Sequence, residues 1–436
     1  MYIENLIQFI SNLTFWQVLA YFWPFFIIDM FRYVLLDSFL IISYIPKWKR
    51  ERPLRARARK QLFHERPLVS VIVPGKNEGK HIPKLCRSLA AQTYNQIEII
   101  VVDDGSDDKT AQICRELEAK KEITTFISNR VRGGKASAAN TALRYARGEY
   151  VLHIDADSFL DSKSIETILL PFYMDENIGV VGGDVRVANI NDSLTTSLQA
   201  IEYMKTISTG RTVLSMLGIL RIVAGAHGMF RKDVLDRLQG WDVGPGLDGD
   251  ITLKIRKLGY RVVHESHAIC YTNVPSTPSK LAHQRYRWDR SLIRFRARKH
   301  FDILKPSANF YLSNFISSAD NLFFNLLLNI KWWLYTAQIL IFQASLLEYI
   351  FMINYLLYLI ANFIEFSVAL LLFGSTTAKW REKKLIFLMP LMPLYTGLFI
   401  RIVRTYAYLM EFLHRTSYND RWNPWKVSKI AKRERL

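Results

Sequence analysis

Two apolar runs in this sequence end abruptly in carboxylates. IEIIVV (97–102) stops at Asp103 and Asp104, and EYVLHI (149–154) stops at Asp155 and, two residues on, Asp157. The first pair precedes Gly105 and Ser106, so an Asp-Gly turn with Ser106 or Asp107 capping the next helix would explain it alone. The second pair asks for more. If strand geometry persists, Asp155 and Asp157 project from one face. Two acids at the end of a buried strand make a hard-oxygen site for Mg²⁺ or Mn²⁺, a cation that keeps waters and is completed by phosphates. Between the pairs lies RGGKASAAN. Gly133 and Gly134 allow close backbone approach, Lys135 adds positive charge, and a helix starts there; together they suit a diphosphate.

Farther on, GWDVGPGLDGDITLKIRKLGYRV sets Asp248 in a Gly/Pro-rich loop ahead of a helix ending at Gly259. Asp250 reads as the N-cap of that helix. Asp248, outside it, is the better candidate to take a proton from an attacking hydroxyl. HQRYRWDRS gathers Gln284, Arg285, Arg287 and Trp288. Guanidinium groups match diphosphate oxygens, and an indole offers an apolar platform for a sugar ring. The plainer account is a juxtamembrane basic helix with its Trp at the interface.

The elements that must position these residues follow from the pattern around them. Val/Ile-rich runs at 68–73, 97–102, 123–128 and 149–154 read as strands, alternating with helices at 81–92, 108–121 and 135–146. This is an α/β pattern, and near-continuous apolar strands predict a parallel sheet covered on both faces. Ligands of such sheets bind beyond the carboxyl ends of the strands, where the polar residues fall.

Outside this province the chain changes character. Half of the 436 residues are hydrophobic, and they concentrate at the two ends. Asn5 to Ile28 carries no charged side chain and is long enough to span a hydrocarbon core of roughly 30 Å. It lacks a basic n-region and a cleavage site, so it reads as an anchor rather than a signal peptide. The divisions expected are an N-terminal transmembrane anchor (1–46), a basic cytoplasmic linker (47–66), a catalytic domain (67–299), and interfacial helices with a C-terminal transmembrane region (300–436). In the last, 332–347, 349–364, 366–378 and 385–400 read as four spans, with two spans plus interfacial helices as the alternative. Net charge is +19, but its clusters flank the apolar ends: Lys47 to Lys60 after the first, and Lys426, Lys429, Lys432, Arg433 and Arg435 at the C-terminus. That is the signature of a cytoplasmic membrane face and anionic headgroups rather than of nucleic acid. Cys86, Cys114 and Cys270 have no metal-ligand spacing and suggest no disulfide framework, as suits a reducing cytoplasm.

Taken together, VDDGS, the Asp-Ala-Asp triplet and the Gln-Arg-Tyr-Arg-Trp pentad resemble family 2 glycosyltransferases. The closest likeness is to the processive membrane synthases of cellulose, chitin, hyaluronan and poly-N-acetylglucosamine, from about Val69 to Trp288. The resemblance implies an A-type nucleotide-diphospho-sugar transferase domain between N- and C-terminal transmembrane helices, in a multi-pass plasma (inner) membrane enzyme with a cytoplasmic catalytic domain. It implies that Glu78, Asp103 and Asp104 hold uridine and ribose, that Lys135 and Asp155 contact the donor, and that Asp157 coordinates Mg²⁺ or Mn²⁺. Asp248 matches the base; Gln284, Arg285 and Arg287 would secure the diphosphate, and Trp288 would stack on the acceptor sugar. The implied reaction is inverting: a UDP-sugar, UDP-GlcNAc or UDP-glucose, is added to a growing polysaccharide that crosses the lipid bilayer. A small accessory membrane subunit could join them. The alternative is a non-processive transferase adding one sugar to a membrane lipid.

Three features depart from the family pattern. Leu247 stands where an acid usually precedes the base. His227 in GAHGMFR (225–231) is unusual and reads as packing or a backbone hydrogen bond. Arg55 and Arg59 have Arg-x-x-x-Arg spacing, but the remaining elements of a cyclic-di-GMP sensor are missing.

Overall fold

A computed structural model describes residues 2–242, 246–305, 310–374 and 379–419, with Pro424 and Lys429. Its centre is one sheet built from β1 (Val69–Gly75), β2 (Ile97–Asp103), β3 (Thr125–Ser128), β4 (Tyr150–His153), β5 (Ser158–Leu160), β6 (Ile178–Val187), β7 (Gly228–Arg231) and β8 (Arg261–Thr272). The strand order is β3-β2-β1-β4-β7-β6-β8-β5. The four expected strands appear within about two residues of their expected bounds, and their pairings are parallel.

The second half corrects the expectation of a parallel sheet. β7 runs antiparallel to both β4 and β6, and β5 runs antiparallel to β8, so the sheet is mixed. A parallel neighbour needs a crossover long enough to return the chain. β5, at the edge of the sheet, pairs only with β8 and runs against it.

Alternation along the strands explains the two-layer core. Val69, Val71 and Val73 of β1, with Ile99 and Val101 of β2, face Leu85, Cys86 and Leu89. Ile72, Ile100 and Val102 face the opposite layer, where helix Lys135–Tyr145 presents Ala136, Ala138, Ala139 and Ala142. Each fully buried Val or Ile contributes roughly 1.5–3 kcal/mol. The alanines matter for function as well as packing, because they let that helix lie close to the strands and bring Lys135 to their ends.

The N-terminal chain is helical at Tyr2–Ser11 and Phe15–Trp23, wound as a π-helix over Pro24–Leu36, and helical again from Asp37 to Glu65. The uncharged stretch is interrupted near Thr14, whose side chain caps the second helix in a box with Gln17. The basic stretch 47–66, expected as a linker, is helical through Glu65 and docks on the sheet domain. RARARKQL is rich in good helix formers. Ala58 and Leu62 are buried in the core, Arg55 pairs with Glu265 at 2.8 Å, and Arg59 with Glu166 at 3.3 Å.

Toward the C-terminus, helix Leu347–Phe373 packs on residues 204–209 and helix Ile400–His414 on helix Pro278–Leu292, while Leu328–Phe342 packs on the N-terminal segment Pro24–Leu36. The expected spans 349–364 and 366–378 are not separate. A single helix runs through Glu365, whose carboxylate is neutralised by Lys205 at 2.7 Å. Residues 375–378 lie outside the described residues, as do Lys426, Lys432, Arg433 and Arg435. Among the described residues two helical stretches, Ala344–Phe373 and Glu382–His414, are long and apolar enough to cross a membrane by length and composition, against the four expected.

Candidate active site

β1, β2 and β4 end side by side at Gly75, Asp103 and His153, so the loops that follow open on one edge of the sheet. Asp103 is turned inward. It accepts hydrogen bonds from the Ser106 backbone N–H at 3.0 Å, from the Ser106 hydroxyl, and from Ser128 Oγ at 3.3 Å. The two Asp104 oxygens accept from the Gly133 and Gly134 N–H groups, each at 2.7 Å. Both aspartates are buried. Asp103 therefore builds its own turn, and Asp104 clamps the Gly-Gly loop against the start of helix Lys135–Tyr145. The loop needs its glycines: Gly134 has φ +87°, and a Cβ on Gly133 would lie 2.4 Å from Ser137 Oγ.

Lys135 opens that helix, and its Nζ lies 2.5 Å from Asp155 Oδ1. Burial pushes the Asp155 carboxyl up, but Lys135 and His153 outweigh it and hold the group below the ordinary range. Asp157 lies beyond a turn, because strand geometry stops at His153. Its carboxylate has hydroxyl partners, Ser158 Oγ at 3.3 Å and Thr272 Oγ1 at 3.4 Å. Burial, and then the charge on Asp155, push it up to about 6. Glu78, just after β1, is pushed up to about 7 by burial, then by Asp157 and Asp155. Among the described residues no three His, Cys, Asp or Glu side chains form a complete metal cage. Asp157, an acid held against neighbouring negative charge with only hydroxyl partners, could hold a hard divalent cation whose remaining ligands are waters and phosphate oxygens.

Asp248 does not precede its helix. It sits in the first turn of Leu247–Lys257, behind Gly246 at φ +87°. Its carboxylate rests on Gly225, where an added Cβ would fall 2.6 Å from Oδ1. Among the described residues that carboxylate has no hydrogen-bond or ion-pair partner, although its backbone oxygen accepts from Thr252 Oγ1 at 2.5 Å. Burial lowers the Lys135 ammonium, but its paired Asp155, with Asp248 and Asp157 in electrostatic reach, raises it.

Asp250 is not the N-cap either; Gly246 holds that position. Buried, Asp250 bonds His300 Nε2 at 2.7 Å and Lys299 Nζ at 2.9 Å. Against the upward push of burial, these partners hold its carboxyl down at about 2. Its charge is spent on fastening the helix to the chain that follows Ile293.

Gln284, Arg285, Arg287 and Trp288 lie on helix Pro278–Leu292. Arg285 is buried, pairs with Glu202 at 2.8 Å, and stands 4.5 Å over the Trp288 ring. The Tyr395 hydroxyl donates to the same Glu202 oxygen at 2.7 Å. Trp288 remains 45% exposed, with the Arg285 guanidinium stacked on a face of its indole. Burial pushes the neighbouring Tyr203 phenol up to about 12, with Arg285, Glu202 and Asp157 all within electrostatic reach.

Sequence reasoning missed Glu202, a lone acid in an otherwise unremarkable amphipathic helix. It also missed His153, whose Nδ1 lies 2.5 Å from Gly225 O beneath Asp248. His227 is packing: its ring fills the space left by Gly183, with Nε2 2.9 Å from Ser164 Oγ, and burial pushes it down to about 3.

Residues 70–239 match the sequence model of glycosyl transferase family 2. Similar proteins include the poly-beta-1,6-N-acetyl-D-glucosamine synthase of Staphylococcus epidermidis, 29% identical over 322 residues, which are 69% of this chain and 74% of the relative. The same-named synthase of Staphylococcus aureus is 29% identical over 214 residues, 49% of this chain and 51% of the relative. Among solved structures, a mannosyltransferase from Pyrobaculum calidifontis in complex with GDP-Man and Mn²⁺ aligns at TM-score 0.53 and 21% identity, over 87% of this chain and 99% of its own. The fold is that of the A-type nucleotide-sugar transferases, with a mixed sheet. The family 2 match is confined to residues 70–239, and the chain is a hexosyltransferase.

Proposed function

We propose that this hexosyltransferase is a processive, inverting β-glycosyltransferase that polymerises UDP-GlcNAc or UDP-glucose and extrudes the polysaccharide across the membrane holding it. The observation that carries the reading is that Asp155 and Asp157, past the end of β4, and Asp248, at the start of its helix, all act on Lys135, together with the exposed Trp288 on which Arg285 stacks. The synthases of similar sequence favour UDP-GlcNAc among the donors.

In this reading Lys135 and Arg287 receive the donor diphosphate beside the Gly133-Gly134 turn that Asp104 holds, and Glu78 lies toward its nucleoside end. A divalent cation held by Asp157 would offset charge on the departing diphosphate. Asp248 takes the proton from the acceptor hydroxyl as that oxygen bonds the anomeric carbon and the bond to the diphosphate breaks, inverting the centre. Trp288 supports the acceptor sugar, with Arg285 setting its indole.

Residues 1–46 and 300–436 embed the enzyme in the plasma membrane, the basic 47–66 helix lies on the cytoplasmic face, and 67–299 form the cytoplasmic catalytic domain. The polar pairs Lys331–Asp29 at 3.2 Å and Arg404–Asp289 at 3.1 Å support interior rather than lipid-facing placement of those charges. A small accessory membrane subunit is compatible with this arrangement.

The test is to incubate the purified full chain with a panel of UDP-sugars and Mg²⁺ or Mn²⁺, and to follow UDP release. One donor should be consumed, and only with the cation. Undiminished turnover in EDTA would sink the metal assignment.

A further inference from the structure

A polar cavity lies at the opposite end of β8 from the catalytic carboxylates. Thr272, the last residue of β8, touches Asp157. Arg261 and Val262, the first two, line the cavity, together with Ser215, Gly218, Arg256, Tyr260 and Asn314 among others. Measured along the paired strand β6, from Ile178 opposite Arg261 to Val187 opposite Thr272, the two places lie roughly 30 Å apart at ~3.3 Å per residue. The cavity holds about 90 Å³, several water molecules' worth of space.

Its charge is unusual. Arg256 is 5% exposed, yet its guanidinium meets neutral acceptors: Asn314 Oδ1 at 2.9 Å, Gly218 O at 3.0 Å and Leu220 O at 3.4 Å. Burial alone pulls its pKa down to about 10. Behind it Arg296, 1% exposed, bonds Ser318 Oγ at 3.1 Å and the Arg221 carbonyl at 2.6 Å. Among the described residues neither has a carboxylate at ion-pair distance. The nearby Asp320 is already paired with Arg221 at 2.8 Å, and Asp175 with Arg261 at the rim. A buried cation without an anion costs several kcal/mol, and an anion in the cavity would relieve it.

The walls suit an oxyanion. The Ser215 hydroxyl accepts from His264 N at 2.9 Å and retains its proton to donate. Gly218, at φ +68°, has open space where a Cβ would stand. The rim suits hydrocarbon: Leu217, Leu258, Phe310, Leu312 and Ile316 are between 38% and 63% exposed beside the lining residues. A soluble phosphate ester would have no use for that rim.

We propose that this cavity binds the phosphate diester of an anionic phospholipid headgroup, with Arg256 as its anchoring cation and the Leu217, Leu258 and Leu312 rim against its acyl chains. The site would tie the edge of the catalytic domain remote from its chemistry to the bilayer.

The test is thermal unfolding of the full chain in neutral detergent, titrated with phosphatidylglycerol, with diacylglycerol (same tails, no phosphate) and with inorganic phosphate (no tails). Phosphatidylglycerol should raise the midpoint saturably, diacylglycerol should not, and inorganic phosphate should act only at concentrations at least a hundredfold higher. Arg256→Gln should weaken the lipid effect at least tenfold. Should that variant fail to fold, Ser313→Glu decides: the residue lines the cavity, is exposed, and lies in the first turn of helix Leu312–Leu322, where an acid is tolerated. It should repel the phosphate and weaken binding by the same order. Equal phosphatidylglycerol binding in wild type and variants overturns the proposal. Inorganic phosphate matching the lipid in affinity, and lost in the variants, would overturn the lipid assignment in favour of a free phosphate ester.

Discussion

Replacing Asp157 with Asn should make the cation-free protein more stable while abolishing its turnover. The carboxyl is pushed from its ordinary 3.8 to about 6 by burial and by Asp155. Keeping it ionised in the folded protein at pH 7.5 therefore costs roughly 3 kcal/mol. The sign follows from proton binding: between about pH 4 and pH 6 the folded state holds this proton more tightly than the unfolded chain does. The wild type is thus relatively favoured below pH 4 and loses that contribution as pH rises through 6. By the same relation the penalty is about half-developed at pH 5 and nearly absent below pH 4. An amide of the same shape never pays it, and its removal also relieves Glu78, which feels Asp157. Melting curves of the full chain in detergent with EDTA should place Asp157→Asn a few degrees above wild type at pH 7.5, with the gap closing toward pH 4. Mn²⁺ should then raise the wild type and leave the variant unmoved. A variant no more stable than wild type at pH 7.5, or one that still turns over, would refute the reasoning.

Two further outcomes follow from the same geometry. Asp248→Asn should lower kcat by roughly two to four orders of magnitude with donor binding retained; Asp250→Asn, which breaks the contacts to His300 and Lys299, should instead cost about 3 kcal/mol of stability, so steady-state kinetics and melting separate the two. Gly183→Ala should destabilise by about 3 kcal/mol, since its Cβ would lie 1.9 Å from His227 Cδ2; adding His227→Ala should recover part of the loss, read as a double-mutant cycle in melting.

The first half of the sheet was legible because β1, β2 and β4 are short apolar runs buried on both faces, punctuated by helices with Gly and polar ends. The antiparallel placement of β5 and β7 was not, since a three- or four-residue strand carries no mark of its direction. Asp155, Asp157 and Lys135 were legible as a group because each follows a strand end or a Gly-Gly turn. Asp104 was not legible as a clamp: only the fold reveals that its oxygens are occupied by Gly133 and Gly134. The choice of Asp248 over Asp250 rested on a helix boundary that fell elsewhere, and it is the partners of Asp250, His300 and Lys299, that separate the two. Glu365 read as the end of a span because its partner, Lys205, lies far away in sequence.

Product length tests the central claim most directly. Purified full chain, given UDP-GlcNAc and Mn²⁺ in lipid, should yield a polymer of many sugars by gel or size exclusion. Trp288→Ala, which removes the indole braced by Arg285 and leaves Asp157 and Lys135 in place, should yield only UDP and free sugar at a slow rate. Wild-type protein that releases only single-sugar lipid adducts, with Trp288→Ala indistinguishable from it, would contradict the account.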